Sequence, residues 1–205
     1  MLSSEGVRIG TEAAHRLRRR GCCAIGPGLT EAEFARIEHE FGFEFADDHR
    51  AFLAEGLPLN GPVVEAHGVD RTRKAPWPNW RDGDPDSLRK RLAWPVDGVI
   101  FDVEHNGMWH PAWGERPSGR DEALATARLH LAQVPKLVPV YGHRYLPAGR
   151  GTFGHPVLSM WQTDIIYYGM DLTDYLHQEF GGSGMDRTDE RWQPRATVPF
   201  WRDFL

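Results

Sequence analysis

Asp102, Glu104, His105 and His110 put two carboxylates and two imidazoles into one short stretch, the donor types that hold a divalent cation for hydrolysis. On a strand over 99–103, Asp102 and Glu104 share a face and His105 points to the other. His105 and His110 then sit five apart in a proline-containing loop, which fixes no ligand geometry. With ten histidines in the chain such a grouping arises by chance, so ordinary surface and turn residues are the simpler reading. A metal-dependent hydrolase built on these four is the alternative. Gly149-Arg150-Gly151-Thr152-Phe153-Gly154 is a literal G-x-G-x-x-G. A dinucleotide loop of that form must open a helix whose N-terminus holds the pyrophosphate. Here His155-Pro156 and an apolar strand follow, so the loop reads as a strand connection and no nucleotide cofactor is expected.

Nucleophiles are no better placed. Ser159 falls in a strand rather than a nucleophile elbow, and Ser183 lies in a glycine-rich joint. Arg18–Arg20 beside Cys22 and Cys23 would lower a thiol pKa, yet no histidine stands at a predictable distance. No catalytic set, metal or cofactor is therefore expected. Trp77, Trp80, Trp109 and Trp113 all fall in expected loops. Such rings either anchor a protein partner, stack on a glycan or small ligand, or close over the sheet as a loop-borne core.

The chain has 205 residues, 40% of them hydrophobic and 26% charged, the composition of a folded globular protein. Its net charge of −5 speaks against a general nucleic-acid binder, whose affinity comes from neutralising phosphates. The charge is uneven: residues 1–20 carry five arginines against Glu5 and Glu12, whereas 164–190 carry seven acids against Arg187. An acidic C-terminal third, with Asp164, Asp171 and Asp174, would suit a basic protein partner. The adjacent Cys22-Cys23 pair cannot staple distant segments, and no apolar run approaches the ~20 residues that span a membrane. A cytoplasmic chain is the expectation.

Local signals lay out the elements that must position these residues. Helices are expected over 11–20, from the capping box Thr30/Glu33 to Gly42, over Asp47–Glu55, from Asp84-Pro85 to about Ala93, over 120–133 and from Asp171 to Phe180. The β-branched run Val99-Ile100-Phe101-Asp102-Val103 reads as a strand, as do 137–141, 144–146, 157–161 and 165–168. Hairpin-spaced strands flanked by helices, with no βαβ alternation, predict an α+β fold: one domain with a largely antiparallel or mixed sheet. The expected organisation is a basic helical extension (1–25), the α+β domain (26–181), and a linker with an aromatic C-terminal tail packing on that domain (182–205).

Taken in order, these segments resemble the SUKH superfamily, whose founding members are the Smi/Knr-like regulators of fungal cell-wall assembly. The likeness rests first on Leu29-Thr30-Glu31-Ala32-Glu33 leading through Ile37-Glu38 to Phe41-Gly42-Phe43-Glu44-Phe45 and a second helix from Asp48 to Ala54. Phe45-Ala46 stands where the family usually has Leu-Pro. The block Pro156 to Gly169 and the helix after it carry the second part, and Phe101-Asp102-Val103-Glu104-His105-Asn106-Gly107 is similar to a longer bacterial branch. The resemblance covers about residues 26–181. It implies a sheet with a binding face and a role in protein–protein interaction. Many bacterial relatives are proposed as immunity proteins that neutralise toxins, often nucleases. The family shares no catalytic residues, and a monomer or weak homodimer is expected.

Overall fold

In the computed structural model, which describes residues 2–60, 77–181, 194 and 196–205, most helices start where the local chemistry places them. Thr30 accepts from the Glu33 N–H while the Glu33 carboxylate accepts from Thr30, so a complete capping box opens α2 (Glu31–Phe41). Arg81 pairs with the same carboxylate and, with Thr30, holds it down at about 2. Asp84 caps α4 (Pro85–His105) by accepting from the Ser87 N–H, with Pro85 in the first turn. Asp171 accepts from the Asp174 N–H at the start of α6 (Leu172–Gly181). The remaining helices are α1 (Ser4–Arg20), α3 (Asp47–Glu55) and α5 (Arg120–Leu131).

The strands β3 (Leu137–Tyr141), β4 (Arg144–Pro147), β5 (Val157–Trp161) and β6 (Asp164–Gly169) form a four-stranded antiparallel meander in sequence order. Before them, β1 (Ala24–Gly26) and β2 (Leu57–Leu59) make a small antiparallel pair that the sequence pattern did not announce. The fold is α+β, with helices and antiparallel sheets segregated as expected. Successive residues of the meander serve two cores. Val138, Val140, Leu146 and Val157 join α1, α2, α3 and α6 in one; Leu137, Tyr145, Leu158, Met160 and Ile165 join α4, α5 and the C-terminal segment in the other.

Two elements differ from the sequence reading. First, α1 begins at Ser4 rather than Thr11 and packs along α3 and α6, burying Ile9, Ala13, Ala14 and Leu17 inside the first core. Gly6 and Gly10 make that contact, since a Cβ on Gly10 would lie 2.2 Å from the Asp48 carbonyl oxygen. Second, the expected strand over 99–103 is helical: α4 continues past Ala93 to His105. Leu88, Pro95, Val99, Asp102 and Val103 form its buried stripe, a helical spacing that overrides the β-preference of the individual residues. The C-terminal segment ends in a 3₁₀ turn, Trp201–Phe204, that buries Trp201 and Val198 in the second core. Of the irregular stretch the sequence suggests over 63–83, residues 63–76 lie outside the described residues, as do 182–184 of the glycine-rich joint at 181–184.

Pro95 sits inside α4 and has no N–H to give the Arg91 carbonyl one turn back. The Tyr145 hydroxyl donates to that carbonyl at 2.9 Å, so a side chain from β4 replaces the missing rung of the helix. Burial pushes the phenol's pKa upward and keeps it a donor. Tyr145→Phe is expected to cost about 1–3 kcal/mol, the penalty for an unsatisfied buried carbonyl. Chemical denaturation of wild type and variant side by side measures it.

Candidate functional site

The glycine-rich loop 149–154 is already occupied by the protein's own acids. Gly151 N–H donates to Asp47 Oδ1 at 2.9 Å, Gly154 N–H to Asp48 Oδ2 at 2.8 Å, and Gly149 N–H to the Glu44 carbonyl at 2.8 Å. Asp47 also accepts from the Ser3 N–H at 2.7 Å. The backbone donors that would cradle a phosphate thus hold two buried carboxylates at the start of α3. Burial pushes Asp48 up to about 6, against the pull of the Gly154 and His49 N–H groups. Beside it His49 is fully enclosed, both ring nitrogens lack a partner among the described residues, and burial depresses its pKa to about 3. Arg50 in turn is buried between Glu31 (2.6 Å) and Glu38 (3.1 Å), and Arg150 links Glu38 and Glu44 at 2.7 and 2.9 Å. This is a structural ion cluster that ties the loop to α2 and α3.

The four residues of the metal alternative are dispersed. The helix turns Asp102 inward, where Oδ2 accepts from the Thr163 N–H (2.9 Å) and hydroxyl (2.6 Å) and Oδ1 from Asn106 (2.5 Å). Glu104 faces out and pairs with Arg120, which lowers its pKa, and with His105 at 3.5 Å. His110 lies apart, between Trp113, Phe200 and Phe204, with Nδ1 accepting from the Ala112 N–H and Nε2 at 3.3 Å from Asp203. Among the described residues no three His, Cys, Asp or Glu side chains are grouped to hold a metal. The Cys23 thiol is pushed up rather than down, first by its hydrogen bond with Cys22 and then by burial.

Three of the four loop tryptophans are core. Trp80 is 1% exposed among Phe41, Phe43 and Phe45. Trp77 is buried on Phe180 and Tyr141, its backbone clasped by the Asn60 side chain. Trp113 is buried between His130 and Phe200. Trp109 is half-buried, its Nε1 donating to the Gly114 carbonyl and its edge against Trp113. Asp171 and Asp174 are spent on α6: Asp171 caps it, and Asp174 accepts from the Met170 N–H and Gln178. Only Asp164 remains exposed.

The exposed aromatic surface lies elsewhere. Trp94 on α4 is 45% exposed and Trp161 at the end of β5 is 58% exposed, and their rings meet edge to face at 6.0 Å. Phe101, also exposed, lies two turns along the helix from Trp94 on the same side. These three are the exposed large aromatic side chains among the described residues. Gly98 lets the backbones meet between them: a Cβ there would come 2.8 Å from the Gln162 Cα, where the β5–β6 turn runs at positive φ. Asp102 pins the same turn through Thr163. Asp97, one turn along α4 from Trp94, and Asp164, opposite Trp161 in the β5–β6 register, are exposed and form no ion pair among the described residues. The sequence reading missed Trp94 and Phe101 because it ended the helix at Ala93. The signal that finds them is the buried stripe of α4, from which both residues are offset.

In comparisons with protein families, curated proteins and solved structures, the chain matches none. Among the described residues no helix is long and apolar enough to cross a membrane.

Proposed function

We propose that the chain is a non-enzymatic protein-binding module that docks a basic partner on the Trp94–Trp161 surface, acting as a toxin-neutralising immunity protein of the SUKH kind. One observation carries the reading: an exposed indole pair held on a rigid helix–turn contact and bordered by the carboxylates of Asp97 and Asp164, which form no ion pair among the described residues. Indoles presented on rigid elements bury large area on binding at small entropic cost, and tryptophan is enriched among the residues that dominate interface energies. Carboxylates at the rim steer a cationic partner and set the salt dependence of its association. The order of elements supports the family likeness: a capped helix, a second helix opening on acids, an antiparallel meander and a final helix. So does the use of the metal-type and phosphate-type groups for structure.

The test is affinity capture with wild type and with Trp94→Ala/Trp161→Ala, followed by titration of the purified partner. The double variant, checked for folding by circular dichroism, is expected to bind at least about 30-fold more weakly, the effect of losing a hot spot of about 2 kcal/mol. Co-expression should show wild type rescuing growth from the partner's toxicity and the double variant failing to do so. Unchanged affinity in a folded double variant sinks the assignment of this surface.

A further inference from the structure

Away from the indole surface, the two cores leave a groove of about 530 Å³ between the C-terminal end of α2, the middle of α4, the end of α5 and the C-terminal 3₁₀ turn. Phe43, Leu92, Val96, Leu131, Leu137 and Trp201 line it. The volume lies within the ~300–1,000 Å³ of small-molecule sites, and the lining is apolar with charge only at the rim.

That charge is lopsided. Arg89, Arg128 and Lys136 border the groove, with Glu40 as their one acidic counterpart. Glu40 is engaged by Arg36 (3.4 Å) and Arg89 (3.3 Å), and Arg89 also reaches Asp86 (2.9 Å). Lys136 gives one proton to the Gly42 carbonyl at 2.5 Å, Arg128 lies close enough to Glu104 to help lower its pKa, and neither cation forms an ion pair among the described residues. In a chain of net charge −5, an apolar groove therefore carries at its mouth two cations that form no ion pair among the described residues. From this we infer that the groove binds an amphipathic carboxylate, a free fatty acid or a molecule of that shape: the apolar chain lies along Leu92, Val96 and Leu131, and the anionic head meets Arg128 and Lys136. A neutral chain of the same length would bury the same area but offer neither cation a charge-assisted hydrogen bond, so the head group sets the preference.

Calorimetric titration with dodecanoate, below its micelle concentration, tests this against dodecanol and dodecyltrimethylammonium. Wild type is expected to bind dodecanoate at least about tenfold more tightly than dodecanol, the difference one charge-assisted hydrogen bond makes, and to show no measurable affinity for the cation. Arg128→Glu, an exposed change that leaves the core intact, should remove that preference while preserving dodecanol binding. Ala132→Trp, on the exposed edge of the lining, should abolish both. Equal affinity for the acid and the alcohol, retention of the preference in Arg128→Glu, or no binding of dodecanoate overturns the inference. So does sedimentation showing that wild type closes the groove by self-association and that dodecanoate does not reverse it.

Discussion

Gly10→Ala is expected to destabilise the protein by about 3 kcal/mol or more and to lower its melting temperature by about 10 °C. Helix propensity alone predicts the opposite, a gain of about 1 kcal/mol for removing a glycine from the interior of a helix. Contact decides against propensity. A methyl group on Gly10 would stand 2.2 Å from the Asp48 carbonyl oxygen, 2.7 Å from the Ala51 Cβ and 2.7 Å from the Phe52 nitrogen. All three belong to α3's backbone or its first side-chain carbon, so no rotamer change relieves the clash and α1 as a whole must lift away. Lifting it opens the seam over Ile9, Ala13 and Leu17. Gly6, whose Cβ would meet the Asp47 Cβ at 2.7 Å and the Phe153 Cβ at 3.1 Å, should show a smaller loss on the same substitution. Urea unfolding of the two alanine variants gives the order directly. A stable Gly10→Ala would mean that α1 does not pack this way.

The second large effect concerns pH. His49 is enclosed with neither ring nitrogen satisfied, and burial holds its pKa near 3, well below the ordinary 6.5. On acidification the unfolded chain therefore takes up the proton first. The stability that belongs to the neutral ring is fully present above about 6.5 and is lost as pH falls toward 3. A difference of that size is on the order of 4–5 kcal/mol. His143 and His155, both lowered by burial, act in the same direction. Asp48 opposes them: its carboxyl is raised to about 6, so its folded form gains a proton as pH falls from about 6 to 4, and stability rises across that window. His49→Leu keeps the volume near constant and removes two buried unsatisfied nitrogens, so the variant should be more stable than wild type by about 1–3 kcal/mol at neutral pH. The gap between variant and wild type should then widen steadily from pH 6.5 down to 3. Denaturation midpoints at several pH values measure that difference, in which the shared contributions of Asp48, His143 and His155 cancel. A constant gap would mean that His49 is solvated.

What was legible in the sequence was local. The Thr30/Glu33 box, the Asp84-Pro85 start, the Asp171 cap and the hairpin spacing of the last four strands each depend on residues a few positions apart, and each sits where expected. What was hidden depends on partners far along the chain. Val99–Val103 carries β-branched residues that favour a strand, yet the run is helical because the second core accepts Val99 and Val103 at helical spacing and the β5–β6 turn takes up Asp102. A proline upstream, which argues for a helix end, is tolerated because Tyr145 replaces its missing hydrogen bond. The site suffered from the same misreading. A helix ending at Ala93 leaves Trp94 and Trp161 unrelated in the sequence, since they become neighbours only where α4 meets the β5–β6 turn.

The glycine-rich loop carries a consequence for the order of folding. Asp47 and Asp48 are separated from Gly151 and Gly154 by 104 and 106 residues. During synthesis from the N-terminus, α1 and α3 emerge early and contain all the residues of their own seam. The acids at the start of α3 then hold only the Ser3 and His49 N–H groups, and wait for the Gly151 and Gly154 donors until the connection between β4 and β5 has been made. Ribosome-bound chains ending before residue 149 are therefore expected to hold α1 and α3 as a loose, protease-sensitive pair, and chains extending past β5 to resist cleavage there. The loop thus serves as a late latch: it fixes the oldest part of the nascent chain only after the sheet has begun to form.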